Sequence, residues 1–128
     1  MGTTVDIKNA VFGAISGVAS VAWPNVPYEG NTPYVRPHIM PAMTDTVGLS
    51  GIDHHMGIIQ VDCVVATGGG EIEASALADT VIALFPRGAR FTSGSTTVQI
   101  NKASWASSGQ QSPNIYFVPV TIPYEVIK

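Results

Sequence analysis

A length of 128 residues accommodates one domain built on a single core and leaves little room for a second. Six basic side chains against nine acidic ones, scattered along the chain, exclude a protein that holds nucleic acid through phosphate contacts. Hydrophobic residues are ordinary at 45%, but charged ones make up only 12%, about half the usual share, so part of the surface is expected to be buried against other subunits.

The low-charge run from Ala10 to Ala22 is shorter than the ~20 residues that cross a bilayer. Lys8 and the small residues Ala19 to Ala22 are compatible with a secretion signal, but Asp6 offsets the early positive charge, and Gly and Ser dilute the middle. A helix accounts for more residues. It aligns Ile7, Val11, Ile15 and Val18 on one stripe, sets Phe12 and Ala19 beside it, and leaves Thr3 or Thr4 as the cap.

Three prolines between Trp23 and Pro33 then impose an extended connector. Tyr34 to Met40 alternates as a strand, with Val35 and Ile39 on one face and Tyr34, Arg36, His38 and Met40 on the other; Pro37 within it implies an edge or a bulge. Pro41 to His54 has little periodicity and reads as a long connection of the kind that carries function. The clearest strand is Gly57 to Thr67, where Ile59, Val61, Cys63 and Val65 define a core face and Gln60 and Asp62 the opposite one. Three glycines lead into a helix from Glu71 to Phe85, with Ala74, Leu77, Ala78, Val81 and Phe85 at helical spacing and Pro86 as the stop.

Thr96 to Trp105 and Ile115 to Val126 read as a hairpin around a polar turn at Ser107 to Asn114. Pro119 and Pro123, four residues apart, remove two N–H donors from the same edge of the last strand. That strand is therefore expected to pair on one side only, at the sheet border. The predicted fold is α+β: a single domain with a mainly antiparallel sheet, two helices packed on it, and the order α-β-β-α-β-β.

Catalytic candidates have plainer readings. Asp53-His54-His55 matches the tripeptide of a class of metal-dependent phosphoesterases, but no Asp-x-Asp pair is present to hold a second metal, and a polar loop explains it. Gly68-Gly69-Gly70 is followed by Glu71 and Glu73 rather than by a Gly-Lys-Ser/Thr phosphate cradle, so a strand-to-helix joint is the reading. Cys63 lies in mid-strand as a small buried hydrophobe, and no nucleophile elbow occurs. Trp23 and Trp105 read as core or subunit-contact anchors.

Taken together, the N-terminal helix, the Trp23-Pro24-Asn25-Val26-Pro27-Tyr28 connector and the Tyr34-Val35-Arg36 strand resemble the tail terminator family of tailed bacteriophages. So do the Gly57-Ile58-Ile59-Gln60-Val61 strand, the helix with Leu77-Ala78-Asp79 and its Phe85-Pro86 end, and the C-terminal β pair. The resemblance covers nearly the whole chain, 1–128 as one domain, and implies a virion protein without enzymatic activity or cofactor. It implies a hexameric ring at the head-proximal end of the tail, with itself, the tail tube protein and a head completion or connector protein as partners, and no membrane. Thr44, Asp45, Asp53, His54 and His55 in the long connection are the candidate assembly-interface residues. A head-completion or neck protein, or a small metal-dependent hydrolase using Asp53, His54 and His55, are the alternative readings.

Overall fold

The computed structural model describes residues 3–16, 20–23, 33–47, 52–66, 68, 71–111 and 115–127. In chain order these form α1 (Thr3–Ile15), β1 (Ser20–Val21), β2 (Tyr34–Val47), β3 (Ile52–Ala66), α2 (Ile72–Leu84), β4 (Arg90–Ser93), β5 (Thr96–Ile100), β6 (Trp105–Ala106), β7 (Gln110–Gln111) and β8 (Ile115–Ile127). All the strands join one sheet in the order β1-β2-β3-β8-β5-β4, with β6 and β7 also paired to β8. Pairing is antiparallel throughout except between β1 and β2, which run parallel. The sheet is thus mixed, and the expected order α-β-β-α-β-β gains short strands around its long ones.

Alternation on β3 builds the core. Ile59, Val61, Cys63 and Val65 are each fully buried, and the register sets them against Ile39, Pro37 and Val35 on β2 and against Ile122, Val120, Val118 and Tyr116 on β8. Both helices cover this face. From α1 come Ile7, Val11 and Ile15, and from α2 come Ala74, Ala78 and Val81, with Phe85 directly after the helix. The alanines let α2 lie close to the sheet, and its end is marked by the Phe85 N–H bonding the Ile82 carbonyl at 3.1 Å before Pro86. Phe85 meets Phe91 edge-on with centroids 5.2 Å apart, tying α2 to β4.

The first helix is shorter than expected: it ends at Ile15, where the Ser16 hydroxyl takes the Gly13 carbonyl at 3.0 Å, and Ser20–Val21 is already strand. Val18 and Ala19 lie outside the described residues, as do 24–32 of the connector and the side chains of Thr3 and Thr4, on which the expected cap falls. Before the connector, Trp23 packs on Phe12 with centroids 5.3 Å apart.

The reading of Pro41 to His54 as an unpaired connection is corrected. β2 continues to Val47 and β3 begins at Ile52, with Thr44 opposite His55, Asp45 opposite His54 and Thr46 opposite Asp53. A register shift between Pro41 and Met43 breaks the alternation there, which is why the segment shows no periodicity. The Val35 carbonyl accepts from the Ala22 N–H at 2.8 Å, so odd-numbered β2 residues up to the shift aim their polar groups at the outer edge. Pro37 and Pro41 therefore spend their missing donors on that edge, beyond the two-residue β1.

The expected border position of β8 is corrected as well. β8 is interior, with β3 along its whole length on one side and β5, β6 and β7 on the other. What holds is the effect of the prolines on a single edge. On the β3 side the register runs without a break from Ile115 to Ile127. Opposite it, strand pairing among the described residues runs at Tyr116–Phe117, Val120–Thr121 and Tyr124–Glu125, and Pro119 and Pro123 fall in the two gaps. The Ser107 N–H donates to the Pro119 carbonyl at 2.8 Å, and Pro119 has no N–H to return.

Candidate functional site

No described helix is long and apolar enough to cross a membrane, and among the described residues no three of His, Cys, Asp and Glu lie close enough to hold a metal ion. Strand geometry separates the two histidines of Asp53-His54-His55. Successive side chains on β3 leave opposite faces, so His54 and His55 diverge. Thr44, Asp45 and Asp53 are placed by backbone register at the end of the β2–β3 hairpin, and their side chains lie outside the described residues.

His54 projects from the face opposite the helices, where its Nε2 lies 2.8 Å from Glu125 Oε2 on β8, 71 residues away in sequence. With the carboxylate ionised, the ring nitrogen carries the proton and donates. The same face holds a second polar cluster. His38 Nε2 is 3.7 Å from Asp62 Oδ2, and the Gln60 amide donates to Asp62 Oδ1 at 3.1 Å. Arg36 stacks over Tyr34, its guanidinium carbon 5.6 Å from the ring centroid. Across the strands, His38, Gln60, Thr121 and Trp105 form one row by register. Trp105 is half exposed and Met40 43% exposed, so this face mixes ion pairs with uncovered apolar side chains.

Cys63 lies on the other face, and burial first, then the Asp62 carboxylate, pushes its thiol up to about 12. A thiol held neutral is no nucleophile. The sequence reading placed Arg36 and His38 on one face but missed Glu125 and Asp62 as partners of the histidines. Their signal was present in the alternation of each strand, yet using it required the register between strands.

A further feature, unread from sequence, is the hairpin β4–β5. Its turn contains Gly94 at φ 60°, and the buried Asp6 carboxylate of α1 accepts from the Thr96 hydroxyl at 3.0 Å beside it. Between α1 and β4 lies an open hollow of about 510 Å³, with Ala10, Gly13, Ala14, Leu84, Arg90 and Phe91 among its lining residues.

What this fold presents is a set of shaped and charged surfaces on a rigid sheet. The chain belongs to the phage tail terminator protein family, whose model matches residues 6–124. It is therefore a structural tail protein of the phage virion. One solved structure, which carries no functional name, is similar over 96% of this chain and 92% of its own, at 25% identity and a TM-score of 0.73. Another, from the virion of a native gene transfer agent particle, covers 99% of this chain and 98% of its own at 15% identity with a TM-score of 0.67, a likeness of fold. No curated protein matches the sequence.

Proposed function

We infer that this protein closes into a hexameric ring that caps the head-proximal end of the tail tube, ends tube polymerisation and offers a docking surface to the head connector. The observation that carries the reading is the family match across residues 6–124. Two features of the chain support it. Charge at 12% of residues calls for buried surface between subunits, and a ring supplies two such faces per copy. Pro37 and Pro41 on the outer edge of β2 disfavour continuation of the sheet from copy to copy, so contacts form through faces rather than edges. The end of the β2–β3 hairpin, with Thr44, Asp45, Asp53, His54 and His55, is the contact region toward the tube or the connector, and the role is non-catalytic.

Sedimentation velocity across a dilution series, with class-averaged electron micrographs of the largest species, tests the ring. A discrete six-fold annulus, alone or in equilibrium with monomer, is expected. A stable two-fold dimer at every concentration would falsify the ring, because an isologous pair consumes the surface that a ring shares between two neighbours.

A further inference from the structure

The outward side of α2 faces no other described element. Ile72, Ala76, Asp79 and Ala83 follow at helical spacing, all exposed, and Ile72 is 78% exposed at the N-terminal end. Glu71 and Glu73 flank it, and the helix contains no basic residue. At the other end of α2, ~18 Å away at helical rise, the chemistry reverses. Arg87, Arg90 and Lys102 are exposed and share one corner, because the Gly88 N–H bonds the Ile100 carbonyl at 2.7 Å and the Ile100 N–H bonds the Ala89 carbonyl at 2.9 Å. Beside this basic corner opens the hollow of about 510 Å³, its lining divided between Ala10, Ala14, Leu84 and Phe91 and the polar Asn9, Thr92 and Ser93, with Gly13 and Arg90 on its wall. Among the described residues the ion pairs are His38–Asp62 and His54–Glu125, so none of these six charges is in a salt bridge there; Glu71 accepts a hydrogen bond from the Tyr116 hydroxyl at 3.4 Å.

An exposed apolar residue flanked by acids and a partly apolar hollow at a basic corner, at opposite ends of one helix, are complementary in sign. We propose that they meet between copies of this chain: Ile72 of one subunit enters the hollow of the next, with Glu71, Glu73 and Asp79 facing Arg87, Arg90 and Lys102. The contact is heterologous, since knob and hollow are different surfaces, and repeated round an axis it closes a ring. This proposal rests on the ring reading and identifies which surfaces build it. The occupant is a second copy because one chain carries both halves of the complementarity.

Two variants test it. Gly13→Leu projects a side chain into the hollow, where a Cβ at Gly13 meets nothing within 4 Å. Ile72→Asp removes a knob that the monomer leaves in solvent. Circular dichroism and melting confirm the fold of each, and sedimentation velocity reads assembly. Each variant alone is expected to weaken self-association at least about tenfold, the scale of losing one central anchor. Mixed, they form a one-to-one dimer and no ring, since each retains the half that the other has lost. Raising salt from about 0.1 M to about 1 M weakens the wild-type assembly, because its charged rim is screened. Hexamers that persist in either folded variant overturn these surfaces while leaving the ring intact. A wild type that forms no closed assembly at any concentration overturns the ring itself and this contact with it.

Discussion

Gly57 is the position where a single methyl group should do the most damage. It pairs with Tyr124 across β3 and β8, and the tyrosine ring lies over its backbone. An added Cβ would meet the Tyr124 Oη at 2.6 Å and Cε1 and Cζ at 2.7 Å, against the ~3.5–4.0 Å of an ordinary contact. The ring must retreat by roughly 1 Å to reach that distance, yet Tyr124 is only 2% exposed and belongs to the main core. Overpacking of this kind costs about 1–3 kcal/mol, from which the reduced freedom of the unfolded chain returns roughly 0.4–1 kcal/mol. The net for Gly57→Ala is about 1–2 kcal/mol, or a melting temperature lower by roughly 4–10 °C. Denaturant and thermal melts followed by circular dichroism measure it. Tyr124→Phe should not relieve the strain, because two of the three contacts are ring carbons. In a Tyr124→Leu background the same substitution should cost at least about 1 kcal/mol less, a coupling that a double-mutant cycle isolates. Gly57→Ala melting at or above wild type would refute the argument that the ring occupies this space.

Other expectations follow from the same structure. The Cys63 thiol, raised from its ordinary 9.0 to about 12, stays neutral in the fold while the unfolded chain ionises. Stability from this group is therefore full below pH 9 and lost as pH rises toward 12, by up to about 4 kcal/mol. Burial raises the Tyr124 phenol in the same sense. Cys63→Val should flatten the alkaline limb of a stability–pH profile, and an unchanged limb would count against the thiol. Asp6→Ala removes a buried carboxylate that accepts from Thr96, and chemical denaturation should show a loss of about 1–3 kcal/mol. Pro119→Val restores an N–H opposite Ser107, so hydrogen exchange at residues 105–111 should slow; equal or faster exchange in a variant that folds would contradict the proline account of the gaps.

The parts legible in the sequence were those in which one face carries the whole signal. Ile59, Val61, Cys63 and Val65 announced a strand with a core side, and Ala74, Ala78 and Val81 a helix with one. Long pairing was hidden where local rules break. The register shift at Pro41 scrambles the alternation of β2, and so a hairpin looked like a loop. In β8 the prolines correctly marked one damaged edge, but sequence alone does not say whether such an edge is empty or patched. Here two-residue pieces patch it, too short to leave a periodic trace. The His54–Glu125 pair was illegible for a different reason: it depends on the register between strands, which no single strand records.

The interrupted seam along β8 also sets where this protein tolerates change in length. β6 and β7 grip β8 by two residues each, and neither lies within the continuous β3–β8 register. Residues added between Ile100 and Trp105, or between Ala106 and Gln110, shift no long pairing and displace no fully buried side chain. An epitope or fluorophore introduced there leaves the scaffold in register. Homologues that differ in length should concentrate their insertions in this stretch, whereas an insertion at Gly57 or Pro119 would move every side chain beyond it to the wrong face of the sheet.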